Sequence, residues 1–103
     1  MAPYLDKPLK GRTAIVTGSG QNIGKAIALH FARAGAHVVV NGRRQRANVE
    51  AVAKEIERQG VGSLVVMADV ADPAAVADMA AQAKAKFGTV DIAVSNVSVR
   101  LKQ

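Results

Sequence analysis

Short apolar segments alternate with amphipathic segments along this 103-residue chain, and the alternation limits its possible folds more than any other feature. The apolar, β-branched segments predict strands at 13–17, 37–41, 63–67 and 90–94. Apolar residues at helical spacing predict a helix after each of the first three strands, ending at Gly35, Gly60 and Gly88. Asp72-Pro73 is typical of a helix start. The sequence therefore predicts a single α/β domain with a doubly wound parallel sheet.

Composition excludes several classes of partner. The net charge is +6, yet the basic residues are dispersed apart from Arg43, Arg44 and Arg46, and no aromatic residues lie among them to stack on bases. The chain has no cysteine and no apolar run near the roughly 20 residues of a membrane helix. In the sequence, no carboxylate stands at a recognisable metal-binding spacing from His30 or His37. We expect a soluble, cytoplasmic protein that binds no metal, nucleic acid or membrane.

The stretch Thr17 to Ala26, TGSGQNIGKA, joins the first strand to the first helix. Such a turn must reverse the chain, bring backbone N–H groups close to a phosphate and aim a helix N-terminus at it. Gly18 suits the reversal of the chain, Gly20 allows the backbone to approach a phosphate closely, and Gly24 allows the helix to pack near the strand. Asn22 stands where a stricter glycine loop has glycine, and asparagine tolerates a left-handed backbone well.

This turn resembles that of the short-chain dehydrogenase/reductase family, Thr-Gly-x-x-x-Gly-Ile/Leu-Gly, and the resemblance extends from Leu9 to Ser98. It implies a partial Rossmann-type sheet, βαβαβαβ, with strand order 3-2-1-4. Asp69-Val70 resembles the family's adenine-contacting pair; the alternative for Asp69 is that it only caps a turn. The fourth-strand motif is a partial match in which only Asn96 is kept and Ser98 replaces a glycine. The resemblance implies cofactor-binding residues at Gly18, Ser19, Gln21, Asn22, Ile23, Gly24, Arg43, Arg44, Asp69, Val70 and Asn96.

The end of the second strand indicates which nucleotide binds. An acidic residue there bonds the ribose hydroxyls and repels a 2′-phosphate, whereas glycine followed by arginine favours the phosphate. That position is Gly42, and Arg43 and Arg44 follow it. Arginine's planar fork of donors suits phosphate. We therefore predict NADP(H) in preference to NAD(H). The alternative is a solvated basic turn before a helix, but a helix start disfavours positive charge, so a bound anion explains the two arginines better.

The family's catalytic tyrosine and lysine, four residues apart, do not occur in this chain. The only tyrosine, Tyr4, precedes the first strand and has Pro8 at the fourth place after it. The catalytic residues are thus unknown, and we expect this sequence to be the amino-terminal part of a longer enzyme. The resemblance implies an NADP(H)-dependent oxidoreductase that acts on a small carbonyl or alcohol substrate, as a homodimer or homotetramer.

Two other functions are compatible with the sequence. One is a non-catalytic nucleotide-binding or regulatory module that lacks the catalytic half. The other is a nucleic-acid binder that uses the positive charge, whose affinity would fall steeply as salt rises.

Overall fold

A computed structural model describes residues 7–96. Tyr4, Val97 and Ser98, which the sequence analysis discusses, lie outside this range. The elements, in chain order, are β1 (Thr13–Val16), α1 (Asn22–Arg33), β2 (His37–Gly42), α2 (Arg46–Arg58), β3 (Ser63–Met67), α3 (Pro73–Phe87) and β4 (Ile92–Val94).

The four strands form one parallel sheet in the order β3-β2-β1-β4, which confirms the predicted topology. In register, Val16 lies beside Val40 and Val94, and Gly42 lies beside Met67. Every strand therefore ends at the same edge of the sheet. The loops that follow the strands meet there, as the rule for open α/β sheets requires.

Both faces of the sheet are covered, which explains why the central strands read as continuous apolar runs. Val38 and Val40 pack with α1 and α2 on one face, through residues such as Ala28, Val52 and Ile56. Val39 points to the opposite face and packs there with Ile15, Val66, Met79 and Ala83. Neighbouring residues of one strand thus serve two separate cores, so alternation with polar residues is absent.

The fourth strand begins at Ile92, so the prediction of a start at Val90 was wrong by two residues. The Asp91 carboxylate accepts a hydrogen bond from the Thr13 N–H at 3.0 Å and lies 3.5 Å from the Arg12 guanidinium. The Asp91 N–H also donates to the Thr13 carbonyl at 2.9 Å, so Asp91 anchors the entry to β4 through both side chain and backbone, and Val90 is left 37% exposed.

Within residues 7–96, no helix combines the length and the apolar character needed to cross a membrane.

The third helix begins where the sequence predicts, at an aspartate cap. The Asp72 carboxylate accepts a hydrogen bond from the Ala74 N–H at 3.0 Å, and Pro73 occupies the first helical position. The last turn ends at Gly88 with φ 85°, a left-handed conformation that glycine adopts without steric cost.

We predict that Asp72→Ala lowers the free energy of unfolding by about 1 kcal/mol, because it leaves the Ala74 N–H without its hydrogen-bond acceptor. Asp72→Asn should retain most of the stability. Asp78→Ala is the matched control. Asp78 lies on the same helix, and its carboxylate accepts one exposed hydrogen bond, from the Gln82 side chain one helical turn away. Urea unfolding checks the prediction, and equal losses for Asp72→Ala and Asp78→Ala would contradict it.

Candidate functional site

Between β1 and the first turn of α1 the backbone is left-handed at two positions: Gly18 with φ 61° and Asn22, the first residue of α1, with φ 57°. The conformation expected at Asn22 is therefore present, and it explains how asparagine occupies a glycine position. Gln21 precedes it with an extended backbone and is the N-cap residue of α1. The chain thus reverses at Gly18 and enters the helix at Asn22.

Gly24 allows the first turn of α1 to approach the end of β1. A Cβ atom at Gly24 would overlap the Gly18 carbonyl group and come within 2.6 Å of the Asn96 side-chain nitrogen. That same nitrogen donates to the Gly18 carbonyl at 3.2 Å, and the Asn96 N–H donates to the Thr17 hydroxyl at 3.0 Å. Asn96 therefore braces the turn from β4, while its predicted position near a ribose stays a prediction.

Asn41, which sequence reasoning did not single out, connects the turn to two strands. Its side chain is 1% exposed, and its Oδ1 accepts from the Gly18 N–H at 3.1 Å. Its Nδ2 donates to the carbonyl groups of Val66 and Ala68, at 2.9 and 3.4 Å. One buried carboxamide thus joins the turn after β1 to the end of β3. The signal available in the sequence was a polar residue ending an apolar strand, VVVN.

Ser19 is fully buried and belongs to the same network. Its hydroxyl donates to the Val16 carbonyl at 2.7 Å and accepts from the Asn41 N–H at 2.9 Å. Its own N–H donates to the Asn41 carbonyl at 2.8 Å. The donors of Ser19 therefore hold β1 to β2, and a direct contact between Ser19 and a cofactor stays a prediction.

An open pocket of about 330 Å³ lies between the turn after β1 and the start of α2. Four of the predicted binding residues line it, together with two glycines to which the sequence analysis gave a role and three neighbours that it did not single out. The nine lining residues are Gly18, Gly20, Gln21, Gly42, Arg43, Arg44, Gln45, Asn48 and Val49.

The predicted residues outside this lining fall into three groups. Ser19, Gly24 and Asn96 support the turn through the contacts described above. Asn22 and Ile23 are exposed at the start of α1, where 69% of Ile23 faces solvent.

The third group is Asp69 and Val70, after β3. One Asp69 oxygen accepts from the Ala71 N–H at 2.9 Å, so the carboxylate does cap a turn. The other oxygen lies 3.5 Å from the Arg43 guanidinium, which links Asp69 to the pocket. Val70 packs against the core under α3. A contact of either residue with adenine stays a prediction.

The pocket is electrostatically suited to anions. The starts of α1 and α2 both border it, and no side chain among the described residues caps either helix or places an acid in its first turn. Uncapped helix N-termini present N–H donors and a partial positive charge. Arg43 and Arg44 add two guanidinium groups, and Arg44 forms no ion pair within residues 7–96. Gln45, with φ 53°, turns the chain into α2 beside them.

His37 lies at the opposite end of the sheet from this pocket. Its Nδ1 accepts from the Gly62 N–H at 2.8 Å, and its ring stacks on Phe87 with centroids 4.7 Å apart. These contacts give His37 a packing role. No group of three or more potential metal ligands is found among residues 7–96.

We predict that Asn41→Ala lowers the free energy of unfolding by about 2–3 kcal/mol, because the Gly18 N–H and the Val66 carbonyl lose their buried partner. Asn48→Ala is the matched control: Asn48 is exposed, and its side chain bonds only the Gln45 side chain. It should change stability by less than about 0.5 kcal/mol. Urea unfolding of both variants checks this, and a loss for Asn41→Ala no greater than that of the control would contradict it.

Substitutions of Asn22 should follow backbone conformation. Asn22→Gly should leave the melting temperature nearly unchanged, because glycine adopts φ 57° without strain. Asn22→Val should cost about 1–2 kcal/mol, because a β-branched residue clashes in the left-handed region. Thermal unfolding measures both, and equal stability of the two variants would refute the assignment of strain.

Comparison with known proteins agrees with this geometry. A family model described as short chain dehydrogenase matches residues 12–103. The chain is 42% identical over 96 residues to the short chain dehydrogenase claC of Passalora fulva, which covers 93% of this chain and 36% of that protein. It is 39% identical over 93 residues to an L-rhamnose 1-dehydrogenase (NAD(P)(+)) of Sphingomonas, covering 90% of this chain and 37% of that protein.

Among solved structures, a short-chain type dehydrogenase/reductase from Mycobacterium marinum superposes with a TM-score of 0.84 at 37% identity. The superposition covers 94% of this chain and 39% of that one. The chain thus spans little more than a third of the length of these relatives. Because the family model, the sequence identity and the fold all agree over nearly the whole chain, it belongs to the short-chain dehydrogenase/reductase family.

Proposed function

We propose that this chain is the cofactor-binding part of an NADP(H)-dependent oxidoreductase, which transfers hydride between the nicotinamide and a carbonyl or alcohol substrate. The observation that carries the proposal is the pocket at the edge of the sheet, where two uncapped helix starts meet two arginines. Family membership supports the redox chemistry, because short-chain dehydrogenases use nicotinamide cofactors.

The residues around the turn suit the diphosphate of such a cofactor. Gly18 and Gly20 line the pocket without side chains, so backbone can approach a ligand closely. Gln21, Asn22 and Ile23 begin α1, where first-turn N–H groups favour phosphate oxygens. In this proposal Ser19, Gly24 and Asn96 hold the turn in shape, and Asn96 also borders the ribose.

The choice of NADP(H) over NAD(H) rests on the end of β2. No carboxylate stands there to repel a 2′-phosphate, since the residue is Gly42. Arg43 and Arg44 line the pocket with the uncapped start of α2 beside them. Planar guanidinium donors and helix N–H groups are complementary to a phosphate that carries charge near −2. Asp69 and Val70, next along the same edge, are proposed to contact the adenine.

The related L-rhamnose 1-dehydrogenase carries both nicotinamide cofactors in its name. The discrimination proposed here is therefore a property to be measured on this chain and not one inherited from the family. The bound nicotinamide would supply the hydride, and the residues of this chain would bind and orient it. We propose that the acid/base group, the substrate pocket and any subunit contacts belong to sequence beyond these 103 residues, in a cytoplasmic homo-oligomer.

We predict that Arg43→Gln and Arg44→Gln each raise the Kd of NADPH about tenfold or more, because each removes a charge-assisted contact of about 1.5–3 kcal/mol. The Kd of NADH should change by less than about threefold, because NADH lacks the phosphate. Arg58→Gln is the control, since Arg58 is also exposed but lies at the far end of α2. Nicotinamide fluorescence titration of the protein as its complete gene encodes it gives both constants.

Two results would count against the proposal. Equal losses for NADPH and NADH would remove the assignment of the arginines to the 2′-phosphate. Failure of the wild-type protein to bind either cofactor would remove the nucleotide site altogether. Binding without NADPH oxidation in the presence of a broad panel of aldehydes and ketones would instead favour the non-catalytic module.

A further inference from the structure

We propose that Val49, a buried residue in the first turn of α2, is a specificity-determining residue of this site. Its side chain keeps the end of β2 free of any side chain, and so excludes the acidic residue that would select NAD(H). The inference rests on the proposed function, which it deepens by adding a steric component to the charges of the arginines.

The contact in question lies between Val49 and Gly42. A Cβ atom at Gly42 would lie 2.5 Å from Cγ2 of Val49. Carbon atoms in contact normally lie about 3.5–4.0 Å apart, so this approach is a severe overlap. The next nearest atoms are the Arg44 carbonyl oxygen at 3.4 Å and the Met67 methyl carbon at 3.6 Å. Val49 is therefore the residue that would have to move for a side chain to fit here.

Backbone conformation gives no separate reason for glycine at this position. Gly42 is the last residue of β2 and is not among the glycines with positive φ. Its backbone is one that other residues can adopt. The requirement for glycine thus comes from the neighbouring helix and not from the turn.

Val49 cannot easily move away. It is 1% exposed and belongs to the core cluster that includes Val16, Val40 and Ile56. A β-branched side chain in a helix has essentially one χ1 rotamer, so rotation does not free the space. The same methyl group lies 3.0 Å from the Cβ position of Gly20, on the other wall of the pocket. One methyl group therefore limits two of the three glycines that line the site, Gly20 and Gly42.

The consequence for specificity follows from the position of Gly42. A carboxylate at the end of β2 is what repels a 2′-phosphate and bonds the ribose hydroxyls. With Val49 in place, a substitution that introduced such an acid would disrupt the packing of α2 before it could contact a ribose. Replacing Gly42 alone should therefore lose NADPH without gaining NADH.

The test is a set of variants of the protein as its complete gene encodes it, titrated with NADPH and with NADH. Gly42→Asp should raise the Kd of NADPH at least tenfold, leave NADH no tighter than in wild type, and lower the melting temperature. Gly42→Asp combined with Val49→Ala should bind NADH at least tenfold more tightly than Gly42→Asp alone. The control combines Gly42→Asp with Val52→Ala, which removes an equally buried valine of α2 and should recover nothing.

A second measurement needs no cofactor and separates packing from charge. Gly42→Ala should lower the melting temperature in the wild-type background and should have little effect in the Val49→Ala background. Equal effects in both backgrounds would overturn the proposal, as would a Gly42→Asp variant that binds NADH as tightly as the double variant.

Failure of the proposed function has a different signature. Wild-type protein that binds neither cofactor would refute the nucleotide site, and with it any role of Val49 in specificity, even if the melting temperatures of the alanine variants were non-additive. Should Gly42→Asp not fold, the binding comparison is made with Gly42→Ser in the same two backgrounds.

Discussion

The hydrogen bond from the Gly18 N–H to the buried Asn41 carboxamide is the interaction on which the site depends. The turn after β1 has no helix or strand of its own to hold it, so its shape must come from neighbours. Asn41 on β2 holds the turn through this hydrogen bond, and its amide nitrogen donates to the carbonyl groups of Val66 and Ala68 at the end of β3. A buried network of this kind is rigid when every member has a partner, and costly when one is removed. The turn, β2 and β3 are thereby held as one unit.

The three helix starts differ in whether a side chain caps them. The start of α3 is closed by Asp72, whereas the starts of α1 and α2 border the pocket and have no side-chain cap among the described residues. A cap at either position would have contributed about 1 kcal/mol. It would also have occupied the N–H groups that attract an anion. Side-chain capping is thus absent at the pocket and present at the helix start away from it. Departures from local stability rules are expected at functional sites.

The sequence predicts the features that depend on nearby residues. Asp72-Pro73 begins α3 at its observed position, and the alternation of apolar and amphipathic segments predicts the strand order once the family resemblance is added. Features that depend on contacts across the fold were not predictable. Asn41 finds its partners 23 to 27 residues away. A side chain at Gly42 would overlap a methyl group of Val49 on the next helix, and nothing in the sequence indicates that these two residues are neighbours. The predicted start of β4 at Val90 was wrong, since the strand begins at Ile92 and the Asp91 carboxylate accepts the Thr13 N–H just before it.

The ion pair between Arg43 and Asp69 bears on how the proposed site would take up a phosphate. The two side chains are 65% and 44% exposed, so solvent screens a 3.5 Å pair whose contribution is about 0–1 kcal/mol. A charge-assisted bond to a phosphate is worth about 1.5–3 kcal/mol. Under the proposed function, the exchange of partners therefore favours the ligand. Arg44 needs no such exchange, since it forms no ion pair within residues 7–96. Under the proposed function the two arginines are thus unequal: Arg44 is available at once, whereas Arg43 is paired with Asp69 and would leave that carboxylate free on binding the phosphate.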